Sequence, residues 1–299
     1  MKPLLIIAFF LTSIETKAQI ESQILFEKGY DNFYGTYIQD SSNFIFKNNV
    51  DSSLFYLLKL NKKFPNYKRT ATNDIISLCY FEKKDFEKSL LYAQKVLSSF
   101  KTNNLESDDY CLECNSASYR IGYIYQTQNK FEKAISYYDS CSTKYTIPPA
   151  FCSISYYSTK VPEDYDLFTC YQGLGQSKKA LAKLTPYLFD STKNSYLDTI
   201  IINDYLKLIS TLHSESEIKS NIQMAIDSIY YNVEISKTQN DSKYNFNANC
   251  WVILFNTKVF LINGISWSND NNEIDYWLSK ESQIEKVKNS MGYKRLFVP

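Results

Sequence analysis

The chain reads as a mainly α-helical solenoid of stacked helical hairpins, closed at its carboxy-terminal end by a helical cap with room for a small β-hairpin. Three observations predict this. Apolar residues recur at helical spacing over most of the 299 residues. Seven glycines and seven prolines are too few for a loop-rich β fold. One constellation, a small residue, an aromatic, a second bulky residue and a second small residue, returns along the chain in fixed register.

The amino terminus stands apart from that pattern. Lys2 gives a short positive start, Leu4 to Leu11 an apolar run too short to span a bilayer, and Thr16-Lys17-Ala18 a small-residue cleavage site before Gln19. Residues 1–18 are therefore read as a secretory signal peptide, with a buried amino-terminal helix as the alternative. The nearest later apolar run, residues 250–262, is too short and carries Lys258, so no membrane span is expected. Removing residues 1–18 reduces 33 basic and 32 acidic residues to 31 of each, a balance with no global field for nucleic acid or anionic lipid.

Residues 19–190 hold about four copies of the constellation. The clearest is Gly122, Tyr125, Phe131 and Ala134; 45 residues earlier stand Ser77, Tyr80, Phe86 and Ser89, and 46 residues later Phe168, Tyr171, Ser177 and Ala180. A fourth set upstream is Ser41, Phe44, Val50 and Ser53, closed by Pro65, at a spacing of 36. Each unit predicts two amphipathic helices joined by a tight turn such as EKKD or TQNK. The small residues let the two backbones approach, and the aromatics fill the angle where the helices diverge. One hairpin leaves an apolar face uncovered, so neighbours must stack.

These residues resemble the tetratricopeptide repeat family. In the stretch around Gly122, Tyr138 and Cys141 also fill that family's later apolar and small sites. The resemblance covers about residues 24 to 190, and the two long intervals exceed the family's usual period of about 34, which predicts an irregular superhelix. In that family ligands lie along the inner surface of the first helices. Carried over, those positions are Asp74, Leu78 and Phe81, then Tyr119, Tyr123 and Gln126, then Tyr165, Thr169 and Gln172. The set is rich in tyrosine and poor in lysine and arginine, which disfavours a clamp for a terminal carboxylate and suits an extended peptide or an oligosaccharide. With 26 tyrosines in the chain, composition alone is the competing explanation.

Residues 191–299 read as a capping region. Residues 195–236 suggest one more helical pair, with Ser214 and Glu217 in a capping-box arrangement. After a polar run over 237–249, β-branched and aromatic residues on both sides of Asn256-Thr257 favour a hairpin, with a short buried helix as the alternative. Residues 272–296 read as a closing amphipathic helix.

Cysteine is the most suggestive chemical feature. Cys114 and Cys141 fall at adjoining ends of one hairpin, and Cys111 and Cys152 lie in the long connections at that same end. One or two disulfides among these four are expected in an exported chain, with the pairing open. A zinc site from the same four and a redox Cys111-x-x-Cys114 are the sharper alternatives; the region lacks the strand-to-helix context of the second. His213, the single histidine, reads as a helix-end contact; no serine sits in a G-x-S-x-G, and Gly173 and Gly175 read as turn residues between repeat helices rather than a phosphate cradle. Asp108-Asp109 and the pair Asp164 and Asp166 read as solvated surface. No cofactor and no metal are expected. The sequence therefore predicts a non-enzymatic exported scaffold for a protein or peptide partner, with a glycan-binding or envelope-assembly role and an enzyme built around Trp251 to Trp277 as alternatives. The abundance of Asn, Lys, Ile and Tyr and the Lys17-Ala18-Gln19 pattern resemble exported proteins of Bacteroidota-like bacteria, which implies a periplasmic or secreted location.

Overall fold

A computed structural model describes residues 2–40, 43–102, 111–145, 153–189, 196–237, 244–268 and 279–297. The chain forms two compact units, residues 1–159 and 160–299.

The first unit consists of three helical hairpins. Helices α1 (Lys2–Tyr34) and α2 (Val50–Lys63) form the first, α3 (Arg69–Glu82) and α4 (Phe86–Thr102) the second, and α5 (Leu112–Thr127) and α6 (Phe131–Thr143) the third. The predicted turns are present in register. Asp85 N donates to Tyr80 O, and Lys130 N to Tyr125 O, each at 2.9 Å. The residue before each closing donor, Lys84 or Asn129, lies in the left-handed region at φ 59° or 57°. The small residues serve as expected: a Cβ on Gly122 would meet the Tyr138 ring at 2.8 Å, and Ser77 and Ser89 bond each other's backbone across the second hairpin.

The first hairpin corrects the sequence reading. Ser41 lies outside the described residues, and Phe44 is on a strand: β1 (Thr36–Asp40) pairs antiparallel with β2 (Asn43–Lys47). The helix that packs on α2 is α1, and the small residue of the unit is Gly29, whose Cβ would meet Leu57 at 2.5 Å while Ser53 Oγ donates to Gly29 O at 2.7 Å. Gly29 and Ser53 are 24 residues apart where Gly122 and Ala134 are 12 apart, and the difference is the length of segment 36–47. The turn around it survives, because Asn49 N donates to Asn32 O at 2.7 Å and Ser53 N to Asn49 O at 2.9 Å, the pattern of the other hairpins. Segment 36–47 is thus inserted into a repeat rather than forming its first helix.

Among the side chains of α1 described from Thr16 on, Ser22, Leu25 and Phe26 are buried, whereas Lys17, Gln19 and Ile20 are exposed. Leu54, Leu57, Leu60, Ile75 and Ile76 complete the core beneath them. A second core joins Ala93 and Val96 to Ala117, Ile121 and Tyr145.

Helix α7 (Ser153–Gly173), of which 160–173 belongs to the second unit, and α8 (Ser177–Leu184) repeat the turn, with Gln176 N donating to Tyr171 O at 2.8 Å and Gly175 at φ 70°. The position of the small residue is held by Phe168, which is buried with Ala180, Leu181 and Leu184. Helices α9 (Tyr196–Leu212) and α10 (Glu215–Asp227) follow, and Ser214 and Glu217 form the expected capping box. The second helix of that pair is shorter than predicted. Tyr230–Lys237 is strand β3, which pairs with β4 (Tyr244–Leu254), and β4 pairs with β5 (Thr257–Ser268). The predicted hairpin at Asn256-Thr257 is therefore part of a three-stranded antiparallel sheet, and part of the polar run, from Tyr244, is strand rather than linker. Its tight turn uses Phe255 and Asn256, both at positive φ. Cys250, Val252, Leu254, Val259 and Leu261 face the core formed by α8, α9 and α10. Of the expected closing helix, 272–278 lies outside the described residues, and the rest is broken at Ser290 into α11 (Lys280–Asn289) and α12 (Met291–Phe297). Gly292 of α12 approaches Leu188 so closely that a Cβ would lie 2.4 Å from the Leu188 backbone oxygen.

Candidate functional site

In the first unit, α1, α3 and α5 touch one another in succession, whereas α2, α4 and α6 make at most marginal contact with each other among the described residues. The array therefore bends with the first helices inside, and their exposed residues form its inner face. Aromatics on that face include Tyr34 of α1 at 45 % exposure, Phe81 of α3, and Tyr123 of α5 at 37 %. Phe81 and Tyr123 meet edge to face with ring centroids 5.5 Å apart, which joins successive hairpins through their predicted site residues. Leu78 is half-buried beside them.

Beneath the aromatics lies a buried polar joint that the sequence did not single out. Arg120 of α5 donates from Nη2 to Asp74 Oδ1 and to Ser116 Oγ, and from Nη1 to Ser77 Oγ, each at 2.9 Å. Both charged side chains are under 9 % exposed. Burial pushes the Asp74 carboxyl above its usual range, with Arg120 pulling against it. Partial burial, and after it the Asp74 charge, pushes the Tyr34 hydroxyl up as well. Asp74 was expected to face a ligand; it is instead committed to Arg120, and Arg120 is by the same contact no free cation for a terminal carboxylate. The signal for this joint was an acid and a base at neighbouring positions of successive repeats.

The remaining predicted residues divide between the two units. Tyr119 packs on Tyr138 at 5.4 Å, and Gln126 Oε1 accepts from the Tyr138 hydroxyl at 2.5 Å, so both brace the third hairpin. In the second unit Tyr165 stacks on Phe168 and donates from its hydroxyl to Asp204 Oδ2 at 2.7 Å; burial, then Asp204, pushes the hydroxyl up to about 12. Thr169 Oγ1 donates to the carbonyl of Tyr165 in its own helix, and Gln172 is exposed.

Residues 116–143, which span most of α5 and all of α6, match the tetratricopeptide repeat family model. No curated protein and no solved structure matches the chain. The matched repeat contains Arg120, Tyr123 and Gln126 and the close approach of Gly122 to Tyr138, so the family's packing and the inner face coincide on one hairpin.

Two of the cysteines at the base of this hairpin pair locally. Cys111 and Cys114 form a disulfide, which takes both from a four-cysteine zinc set; Cys141 is a buried free thiol, and Cys152 lies outside the described residues. The adjoining ends of α5 and α6 do meet, but Asn115 ties them, donating from Nδ2 to the carbonyls of Cys141 and Tyr145 at 3.1 and 2.9 Å. His213 packs on Phe255, ring centroids 4.7 Å apart. Asp164, read as solvated, is buried on α7 and accepts from the Tyr187 hydroxyl at 2.7 Å, while Asp108-Asp109 lies outside the described residues. Among the described residues, no helix is long and apolar enough to cross a membrane, and no three His, Cys, Asp or Glu side chains gather as a metal site.

Proposed function

We propose that the protein is a non-enzymatic scaffold that binds a protein or peptide partner along the inner face of α1, α3 and α5. The observation that carries this is the Phe81–Tyr123 pair, an aromatic contact bridging two hairpins with Tyr123 left 37 % exposed. Flat rings of this kind cover apolar side chains, and the Tyr123 hydroxyl gives the pair a polar edge. Because Arg120 is neutralised by Asp74, the face suits an extended uncharged segment rather than a free carboxylate. Commitment of Asp74 to Arg120 and of His213 to Phe255 supports the non-enzymatic reading.

The scaffold is further proposed to be exported, periplasmic or secreted, after cleavage near Ala18. In support, among the described side chains of α1 those of Thr16, Lys17, Gln19 and Ile20 are exposed, and the buried ones, Ser22, Leu25 and Phe26, lie after the cleavage site.

Photo-crosslinking in the native host tests the binding surface, with one probe at Tyr123 and a control at exposed Lys133 on α6. A discrete partner captured from Tyr123 alone is the expected result. Equal capture from both positions, or none from Tyr123, removes the inner face as a protein-binding surface.

A further inference from the structure

We infer that a cationic pocket at the amino-terminal end of α3, away from the inner-face aromatics, binds a small phosphate monoester that also carries a hydroxyl. The pocket has a volume of about 300 Å³ and is lined by Asn61 of α2, Pro65 and Asn66 of the following link, Arg69 and Asn73 of α3, and Lys95 of α4. Its lining contains two cations and three amides and no carboxylate. Among the described residues neither Arg69 nor Lys95 has an ion-pair partner, and the Lys95 ammonium rests 4.2 Å from the Tyr92 ring centre. Helix α3 opens at Lys68, in the left-handed region at φ 40°, with no side-chain cap, so its first-turn N–H groups and dipole add to the positive field. Two cations beside a helix start suit a dianion, the charge that a phosphate monoester approaches at neutral pH.

Asn73 supplies the second half of the argument. It is 2 % exposed and lines the pocket, yet its Oδ1 has no hydrogen-bond partner among the described residues. A buried acceptor left unmade is destabilising, and a ligand hydroxyl donating to it removes that penalty. A bare dianion such as sulfate satisfies the cations and leaves Oδ1 empty. A hydroxyl-bearing phosphate ester satisfies both, and the volume sits at the lower end for small-molecule sites.

Isothermal titration calorimetry of the whole chain with glycerol 3-phosphate, and separately with sulfate, tests this. Saturable binding of glycerol 3-phosphate at least about tenfold tighter than sulfate is expected, as one charge-free hydrogen bond to a buried acceptor amounts to about that factor. Arg69→Gln and Lys95→Gln, on exposed and half-buried positions that leave the cores intact, should each weaken glycerol 3-phosphate by about tenfold or more. Asn73→Leu, near in shape and lacking the acceptor, should keep a cooperative unfolding transition and lose the preference over sulfate. No saturable binding at millimolar glycerol 3-phosphate, or binding unchanged in Arg69→Gln and Lys95→Gln, overturns the proposal. Because none of these residues lies on the Phe81–Tyr123 face, its failure leaves the scaffold reading standing.

Discussion

The α1–α2 and α5–α6 hairpins are the same packing device with different connections. In one, Gly29 lies against Leu57; in the other, Gly122 lies against Tyr138. Between the helices of the first runs a β-hairpin over residues 36–47, whereas the second has a four-residue turn. The repeat is thus defined by the close approach of two helices and by one turn-closing hydrogen bond, and the chain between them tolerates a twelve-residue insertion. The joints to α3 differ as well: α5 is bound through the buried Asp74–Arg120 pair, while α1 presents Tyr30 and Tyr34, both over 40 % exposed.

The joints give the largest expected effect. Arg120→Ala leaves Asp74 buried and unpaired and should lower stability by about 3–5 kcal/mol in urea unfolding, against less than about 1.5 kcal/mol for Tyr34→Ala. Equal losses would erase the distinction between the joints. Next come the close approaches: Gly29→Val and Gly122→Val each force a side chain into a buried neighbour and should cost about 2–3 kcal/mol, with the two values within about 1 kcal/mol of each other. If Gly29→Val proves harmless, the first hairpin is not equivalent to the third.

A smaller effect separates the two units by pH. Burial pushes the Cys79 thiol of the first unit up to about 11, and those of Cys170 and Cys250 in the second to about 12, from an ordinary 9.0. Since folding favours the protonated thiol, the stability these groups contribute is whole below pH 9 and is lost as pH rises through 11 for Cys79 and through 12 for the other two. At pH 9 the native Cys79 holds about a hundredth of its thiol as thiolate, so iodoacetamide should label it far more slowly than in the denatured chain, and Cys170 and Cys250 more slowly still. Equal labelling rates in native and denatured protein would contradict that burial. Denatured but unreduced protein should show no more than five of its seven thiols free, given the Cys111–Cys114 bridge.

Much of this was legible where local chemistry and packing agree. The turns at Lys84 and Asn129, the close approach at Gly122 and the capping box at Ser214 each follow from a few adjacent residues. Legibility failed where partners are distant in sequence. Counting residues assigned Phe44 to a repeat helix, because Gly29 and Ser53 are related only through the fold. The run from Tyr230 to Lys237 continues a helical pattern on paper, yet pairing with β4 draws it into a sheet. On the inner face the aromatics Phe81 and Tyr123 were found, whereas Asp74 was taken as a ligand contact because Arg120, 46 residues on, was not recognised as its partner.

The most direct test of the comparison is excision of residues 36–47, joining Gly35 to Asn48, followed by native-state amide hydrogen exchange. The link between Asn32 and Asn49 then has four residues, the length that separates Tyr80 from Asp85. If helix approach defines the repeat, slow exchange in α1 and α2 should persist around Gly29 and Leu57, with global stability within about 1 kcal/mol of the intact chain. Loss of protection in both helices would show that the β-hairpin holds them together and would contradict the account.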